Sequence, residues 1–210
     1  MKRFSLITET EARCLAIDEV VELAPGGHVT PLAEDTLRSR RVRVVRGGVD
    51  PDAAARLGLE TAVRRVAVGA DHVGRELIGY VVRHLRARGL AVSDLTPIGA
   101  DPIDYPDVAA AVARAVTHGE ADAGVVADGS GIGSAVAANK VAGIRAAVLS
   151  DVTVARYGRE HVGVNVGTLA ATLVTPEEVA TILDAWLGAT IREPRYIARL
   201  VKIARLEERS

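Results

Sequence analysis

A glycine-rich turn, DGSGIG at residues 128–133, is the segment of this sequence best suited to chemistry. It follows an apolar run at 123–127 and precedes a stretch of small residues that ends at Lys140. Glycines between a strand and a helix let consecutive backbone N–H groups converge on an anion, and a helix N-terminus favours the same charge. The alternative is a tight turn that binds nothing, because such glycine patterns are common.

Five other residues offer groups that could act together with this turn. Asp71 and His72 follow the first apolar run of the larger domain, so we expect them at the same sheet edge as the turn. His161 lies near the end of a predicted helix, where the helix dipole alone would favour a histidine. Arg195 and Arg199 are four residues apart on one helix face and could reach one phosphate. Taken singly, a solvated histidine or a solvated basic face explains each equally well.

Composition limits the class of protein. The chain has 210 residues and a formal net charge of -1, so it has no basic excess to neutralise a nucleic-acid backbone. Aromatic residues make up only 3%, so the core must be built from Ala, Val, Leu and Ile, which suit parallel strands covered by helices. The single cysteine, Cys14, agrees with a reducing compartment. We see no export signal and no membrane span, and expect a cytoplasmic protein.

Strand and helix patterns alternate five times after Arg65. Strands are predicted near 66–69, 90–92, 123–127, 144–149 and 165–170, with helices between and after them. This order predicts a three-layer, doubly wound, mostly parallel five-stranded sheet, a Rossmann-like α/β fold. Ligands of such sheets bind at the carboxyl ends of the strands, so the loops at 71–72, 128–133 and 150–151 matter most.

Residues 1–62 form a predicted extension to a domain that spans 63–210. A strand at 20–23, a turn at 25–27, a helix that starts at Thr30, a strand at 42–45 and a linker at 47–52 suggest a small α+β unit. Such a unit is too small to bury a large core alone. We therefore expect it to pack on the main domain, on a second copy or on a partner.

From about residue 64 to 205 the sequence resembles the ribose-5-phosphate isomerase B and galactose-6-phosphate isomerase family. The matching segments follow the family order across about two-thirds of the chain. They are GADHVG at 69–74, DYPD at 104–107, GEADAG at 119–124, GSGIG at 129–133, AANKVAGIRA at 137–146, REH at 159–161 and the arginines at 195 and 199.

The resemblance implies a homodimer, often paired further, with active sites at the subunit interface and no metal or organic cofactor. It places Asp128, His161 and Ser130 at catalytic positions, and it implies that His161 assists ring opening and that the amides of 129–133 hold an enediolate oxygen. The residues implied in substrate binding are Asp71, His72, Tyr105, Gly129, Gly131, Ile132, Gly133, Asn139, Lys140, Arg195 and Arg199. Of these, His72 and the two arginines would bind the phosphate, and Tyr105 would line the pocket.

The sequence departs from the family at the catalytic position. Most members have a cysteine base where this chain has Asp128, and some place a glutamate where this chain has Ser134. In one interpretation Asp128 is the base, and burial raises its pKa from the ordinary value of about 3.9. In the other, the site is slow or inactive. Two further pocket changes are Val162 for a usual asparagine and Tyr196 for a frequent histidine.

We therefore expect an aldose–ketose isomerase of a phosphorylated sugar, most directly ribose 5-phosphate to ribulose 5-phosphate. The alternatives are another tetrose, pentose or hexose phosphate, a non-catalytic sugar-phosphate binder, or an assembly subunit. The stretch 23–45 resembles a short module of some enzymes packaged in bacterial microcompartments. It could instead be an extension that covers part of the dimer surface.

Overall fold

The computed structural model describes residues 2–46, 57, 62–99, 103–191 and 193–207. These residues belong to two compact units. One combines residues 1–59 with 192–206, and the other combines 60–191 with 207–210. Each unit is described separately below. The linker predicted at 47–52 lies outside the described residues.

The N-terminal unit contains a parallel sheet of three strands in the order β1-β2-β3. Strands and helices alternate, so this unit is α/β and not the α+β arrangement that we expected. The elements are β1 (Lys2–Ile7), α1 (Glu9–Cys14), β2 (Val20–Val29), α2 (Pro31–Ser39) and β3 (Arg43–Arg46).

Strand β1 and helix α1 were not predicted, because β1 is mostly exposed and its apolar pattern is short. Lys2 and Arg3 pair with carboxylates of the next segment, at 3.0 Å for Lys2–Glu19 and 3.6 Å for Arg3–Glu22. Ion pairs therefore support a strand that apolar alternation alone does not mark clearly.

Strand β2 contains a large bulge where the sequence predicted a turn. Phe4 pairs with Leu23 and Leu6 pairs with His28, so four residues of β2, 24–27, oppose one residue of β1. Gly26 has a φ of 75°, a conformation that glycine adopts without steric cost. The turn signal at 25–27 thus marks an interruption inside one strand.

This unit has an apolar core of its own. The buried side chains come from the strands, the two helices and the segments between them: Ile7, Ala12, Leu15, Val21, Leu23, Val29, Ala33, Leu37 and Val42. Phe4 and Val44 pack against them. The extension therefore buries more apolar surface within itself than its length led us to expect.

The larger unit contains a five-stranded, fully parallel sheet in the order β5-β4-β6-β8-β7. This confirms the predicted fold class. The elements in chain order are β4 (Arg65–Ala70), α3 (Arg75–Ala87), β5 (Ala91–Asp94), α4 (Tyr105–Thr117), β6 (Ala123–Asp128), α5 (Ile132–Ala138), β7 (Ala146–Val148), α6 (Val152–Val162), β8 (Val166–Ala170) and α7 (Pro176–Gly188).

Helices cover both faces of this sheet. One apolar cluster joins the sheet to α3, α6 and α7 and contains the fully buried Trp186. A second cluster joins the opposite face to α4 and α5 and is built from small residues such as Ala109, Ala113 and Ala138. Small side chains let α4 and α5 approach the sheet closely, which explains how so few aromatic residues fill the core.

The last helix, α8 (Pro194–Glu207), groups with the N-terminal unit and not with the larger one. Ile197 and Ala198 pack against Val20 and the fully buried Val45, on β2 and β3. The predicted domain of residues 63–210 therefore contributes its final helix to the other unit. None of the described helices is long and apolar enough to cross a membrane.

Candidate active site

The candidate site lies where the direction of strand addition in the larger sheet reverses. The chain adds β5 on one side of β4 and then crosses back through α4 to add β6 on the other side. Ala70 pairs with Ala127, so Asp71 and Asp128 end neighbouring strands at the same sheet edge. This is the position at which open α/β sheets bind ligands.

Asp128 is almost completely buried, with 3% of its surface exposed. Its Oδ1 accepts hydrogen bonds from the amides of Ser130, at 2.8 Å, and Gly131. Its Oδ2 accepts from the amide of Ser134 at 2.9 Å. We call these three N–H groups the amide cradle. The carboxylate therefore fills the cradle that the sequence assigned to a substrate oxygen.

These contacts reverse the predicted direction of the Asp128 pKa. Burial alone would raise the pKa of the carboxyl group, as we expected from the sequence. The hydrogen bonds from Ser134, Gly131 and Ser130 outweigh burial and hold the pKa below its ordinary value. The prediction of a raised pKa is wrong for the free protein, because the amides that would hold an enediolate stabilise the charged carboxylate instead.

The rest of the glycine turn is tied to its neighbours. The amide of Ile132 donates to the Ser130 hydroxyl at 3.3 Å. Both the amide and the hydroxyl of Thr172 donate to the carbonyl of Gly129, at 3.1 and 2.7 Å. Thr172 follows β8, so the turn is fastened to the adjacent strand. The sequence did not single out Thr172, and a lone threonine after a strand carries no signal that would have done so.

Ser134 has a buried hydroxyl beside the Asp128 carboxylate. The residue is 0% exposed, and its Oγ makes no hydrogen bond within the part of the chain that the structure describes. The hydroxyl is close enough to contribute to the lowered pKa of Asp128, although it does not meet the geometry of a hydrogen bond. The sequence identified this position only as the one where a glutamate is missing.

The Asp71 carboxylate also accepts hydrogen bonds from backbone amides close to it in sequence. Its Oδ1 accepts from the amides of Val73, at 2.9 Å, and Gly74, at 2.8 Å, at the start of α3. The neighbouring His72 is exposed, and its Nδ1 lies 3.4 Å from the carbonyl of Ile103.

Tyr105 lies directly on the glycine turn. A Cβ at position 133 would come within 2.6 Å of Tyr105 Cε2, so glycine is required there for the ring to pack. The tyrosine remains 40% exposed. The structure thus brings Asp71, His72, Tyr105 and the turn to one edge of the sheet.

Asn139 and Lys140 lie at the far end of α5, away from the turn. The helix has seven residues, which corresponds to about 10 Å along its axis. The Asn139 amide is also engaged: Nδ2 donates to the Ala146 carbonyl at 2.9 Å, and Oδ1 accepts from the Ala146 amide at 2.8 Å. Asn139 therefore fixes the connection from α5 to β7, and the structure does not bring these two residues to the site.

His161 lies at the opposite edge of the sheet. Helix α6 runs from the carboxyl end of β7 to the amino end of β8, and His161 is in its last turn. Eleven residues of helix separate the two edges by about 16 Å. The ring is half-buried and stacks on Tyr157 with a centroid distance of 4.6 Å. Within one chain, His161 does not join the turn.

Arg195 and Arg199 belong to α8 and thus to the N-terminal unit. Both guanidinium groups contact the ring of Tyr196, with Cζ–centroid distances of 4.8 Å for Arg195 and 5.7 Å for Arg199. Arg195 also donates to the Tyr196 hydroxyl at 3.2 Å. The predicted pair is therefore held together by the tyrosine that replaces the usual histidine.

A doubly wound parallel sheet with a glycine turn at its switch point places the protein among the α/β folds that bind small molecules at that sheet edge. Residues 66–203 match the model of the ribose/galactose isomerase family, and the chain belongs to that family. It is 40% identical to ribose-5-phosphate isomerase B of Escherichia coli over 147 residues, which cover 70% of this chain and 99% of the relative. It is 36% identical to D-erythrulose-4-phosphate isomerase of Pectobacterium atrosepticum over 144 residues, which cover 68% and 94%.

Solved structures agree with this assignment. Ribose-5-phosphate isomerase B of Clostridium thermocellum superposes with a TM-score of 0.67 at 39% identity, covering 69% of this chain and 98% of that one. The Mycoplasma genitalium enzyme with bound ribulose 5-phosphate superposes with a TM-score of 0.66 at 34% identity, covering 70% and 97%.

Proposed function

We propose that this protein interconverts a phosphorylated aldose and ketose, with ribose 5-phosphate and ribulose 5-phosphate as the first substrates to test. The observation that carries the proposal is the glycine turn at the switch point of a family fold, with a carboxylate inside the turn. Relatives that align with this chain over nearly their full length are named as phosphosugar isomerases.

The chemistry requires a base at C2 and donors for the oxygen that becomes negative. Asp128 is the base that we propose, and the amides of the turn are the donors. His72, Arg195 and Arg199 would bind the phosphate, and Ser130 supports the turn through its hydrogen bond from Ile132. Fixed donors lower the barrier because the charge on oxygen is larger in the transition state than in the substrate.

The length of the sugar stays open in this proposal. The relatives include enzymes named for a five-carbon and a four-carbon phosphosugar, and a galactose-6-phosphate isomerase subunit of Clostridium acetobutylicum. Val162, 42% exposed at the end of α6, replaces a usual asparagine and is the pocket change best placed to alter the preference.

We also propose a dimer with shared active sites. The turn and His161 lie at opposite sheet edges of one chain, so ring opening by His161 needs a second copy. The separation of His161 from the turn follows from the parallel pairing of β7 with β8 and from the length of α6.

The N-terminal unit is proposed as a docking module for a microcompartment shell or a co-packaged enzyme. Its exposed apolar side chains Ile17 and Leu32, 61% and 63% exposed, are the candidate contacts. Full-length protein and its Leu32→Glu variant would be tested for co-sedimentation with shells. Equal recovery in both would favour the alternative, a unit that covers the dimer surface.

A coupled assay on the full chain tests the isomerase. We expect turnover of ribose 5-phosphate, with erythrose 4-phosphate and allose 6-phosphate assayed alongside, and at least about a hundredfold loss in Asp128→Asn. Equal activity of the variant would remove Asp128 as the base.

A non-catalytic phosphosugar binder is the second candidate, and one observation favours it. The pKa of Asp128 is lowered, and a weak base removes a carbon-bound proton slowly. Calorimetric binding of ribose 5-phosphate with no turnover of any phosphosugar would establish this candidate in place of the enzyme.

A further inference from the structure

We propose that the Asp128 carboxylate alternates between two positions during turnover: it fills the amide cradle in the free protein and leaves when a sugar oxygen takes its place. This inference rests on the proposed function and deepens it. In the free protein the Asp128 carboxylate occupies the three amides of the cradle. During turnover the same carboxylate leaves the amides and acts as the base.

The amide cradle cannot hold the Asp128 carboxylate and a negatively charged sugar oxygen at the same time. The amides of Ser130, Gly131 and Ser134 already donate to the two carboxylate oxygens. Two anions about 4 Å apart repel each other by about 4 kcal/mol near a protein surface. An enediolate oxygen therefore cannot use these donors while the carboxylate does. If the donors take part in catalysis, the carboxylate must move out.

Leaving the cradle also makes the Asp128 carboxylate a stronger base. In the cradle, hydrogen bonds hold the pKa of Asp128 below its ordinary value against the opposing effect of burial. When those bonds pass to the sugar oxygen, burial is left as the main influence, and the pKa rises. The carboxylate then accepts the proton from C2 as the C2–H bond breaks, the C1–C2 double bond forms and the carbonyl electrons pass to the C1 oxygen. The proton of the C2 hydroxyl moves to the C1 oxygen, so the negative charge passes to the C2 oxygen. The carboxyl proton is then returned to C1 as the C2 carbonyl forms, and the ketose phosphate leaves the carboxylate free to return.

The buried hydroxyl of Ser134 agrees with a second state. It is 0% exposed and lies close enough to the Asp128 carboxylate to lower its pKa, but within the described residues it does not meet the geometry of a hydrogen bond. A buried hydroxyl whose hydrogen bond is incomplete is costly, so it is expected to complete one in another state of the molecule. A carboxylate that shifts out of the cradle, or a sugar oxygen that enters it, completes that bond.

The test is the pKa of Asp128 with and without an occupant of the cradle. The full-length protein is labelled with ¹³C at the aspartate carboxyl carbons, and the Asp128 signal is assigned by its loss in Asp128→Asn. The probe is 4-phosphoerythronohydroxamate, whose hydroxamate copies the shape and charge of an enediolate. We expect saturation with the probe to raise the pKa of Asp128 enough to change its acid dissociation constant at least about tenfold. An unchanged pKa with the probe bound overturns the exchange.

Two variants decide the case in which the probe fails to bind the natural protein. Asp128→Gly uncovers all three amides, and Asp128→Asn keeps one acceptor for Ser130 and Gly131, so its affinity should be intermediate. Binding to the glycine variant alone shows that the carboxylate never leaves, and binding to none shows that the turn holds no anion. Both results overturn the exchange.

Asp122→Gly is the matched control. Asp122 also accepts from two backbone amides, with Oδ2 2.9 Å from the amide of Arg64 and 2.8 Å from that of Arg65, but it precedes β6, at the opposite edge of the sheet from the glycine turn. Its loss should leave the affinity for the probe unchanged. Failure of the exchange is distinguishable from failure of the function: turnover with an unchanged Asp128 pKa removes only the exchange, and a raised pKa without turnover removes only the isomerase.

Discussion

Four aspartates end strands of the larger sheet or follow them closely, and each accepts hydrogen bonds from the backbone of the next segment. Asp71 accepts from the start of α3, Asp94 from the segment after β5, Asp128 from the turn before α5 and Asp151 from the first turn of α6. One residue type thus has the same local structural role at four strand ends. Only at Asp128 do the donors include amides of the glycine turn.

At the scale of single residues, the sequence predicted which residues surround the turn but not which groups accept the hydrogen bonds of its amides. The motifs placed Asp71, His72, Tyr105 and Asp128 correctly at one edge. They could not show that the Asp128 carboxylate satisfies the turn amides, because that depends on a side-chain torsion and on donors two to six residues away. The error in the direction of the Asp128 pKa follows from the same omission.

Asp128 should make stability depend on acid. Its pKa is lower in the folded protein, so its contribution is full above the unfolded value of about 3.9 and is lost as pH falls through the folded value. Urea unfolding at pH 7, 5, 4 and 3 should show Asp128→Asn less stable by about 1–3 kcal/mol at neutral pH, with the gap closing below pH 4. Asp35→Asn, at an exposed site on α2, controls for net charge. A gap that is constant with pH would contradict the capping role.

At the scale of elements, close approach of helix and strand depends on a single glycine. A Cβ on Gly74, at the start of α3, would lie 2.2 Å from the carbonyl oxygen of Ala127 on β6. This contact is to backbone, so neither side can yield without moving the site. The helix that follows Asp71 can therefore approach the strand that ends in Asp128 only because residue 74 has no side chain.

We expect Gly74→Ala to destabilise the protein by about 3 kcal/mol, the cost of overpacking a rigid contact. Gly79→Ala is the matched control on the same helix, because its nearest neighbour would be the flexible Arg83 side chain at 3.7 Å. It should stabilise the protein by about 0.5–1 kcal/mol through helix propensity. Similar midpoints for the two variants in urea unfolding would show that the approach of α3 to β6 is not tight.

Tyr196 should act on substrate binding through the two arginines beside it. Replacing it by alanine removes one aromatic contact from each guanidinium group and should raise KM for ribose 5-phosphate about two- to fivefold, with kcat unchanged. Tyr80→Ala removes a similar contact with Arg83, at 5.9 Å, on α3 and should change neither constant. Equal effects of both variants, or a fall in kcat alone, would contradict the positioning role.

Regular elements were predictable where periodicity was strong. The five strands of the larger sheet and the helix starts at Asp151 and Thr175 were all visible, because buried parallel strands give continuous apolar runs and helix caps have distinct chemistry. The bulge in β2 was not visible, since Pro-Gly-Gly is as typical of a chain reversal as of an interruption within a strand.

At the scale of the whole molecule, the proposed role of His161 requires a second copy of the chain. The larger sheet is parallel throughout, so its two edges are chemically different and no residue in the last turn of α6 can reach the turn after β6 in the same chain. Sequence order alone could not show this separation, because it depends on which end of each helix faces which edge.

Mixing two inactive variants should restore activity. In a dimer of Asp128→Asn with His161→Ala, one site carries both changes and the other carries neither. Co-expression at equal levels should therefore recover about a quarter of natural activity, because half of the dimers are mixed and each has one intact site. Purification through a different tag on each chain isolates the mixed dimer. No recovery in that fraction would show that each site takes both residues from the same chain.

The two ends of the described chain meet in one unit, and this sets an order for its assembly during synthesis. Strands β2 and β3 leave the ribosome long before α8, whose Ile197 and Ala198 cover Val20 and Val45. At about 5–20 residues per second, the roughly 150 intervening residues take roughly 8 to 30 seconds to make. Most of the larger unit, residues 60–191, is synthesised in that interval, and one apolar face of the N-terminal sheet stays uncovered until α8 has emerged.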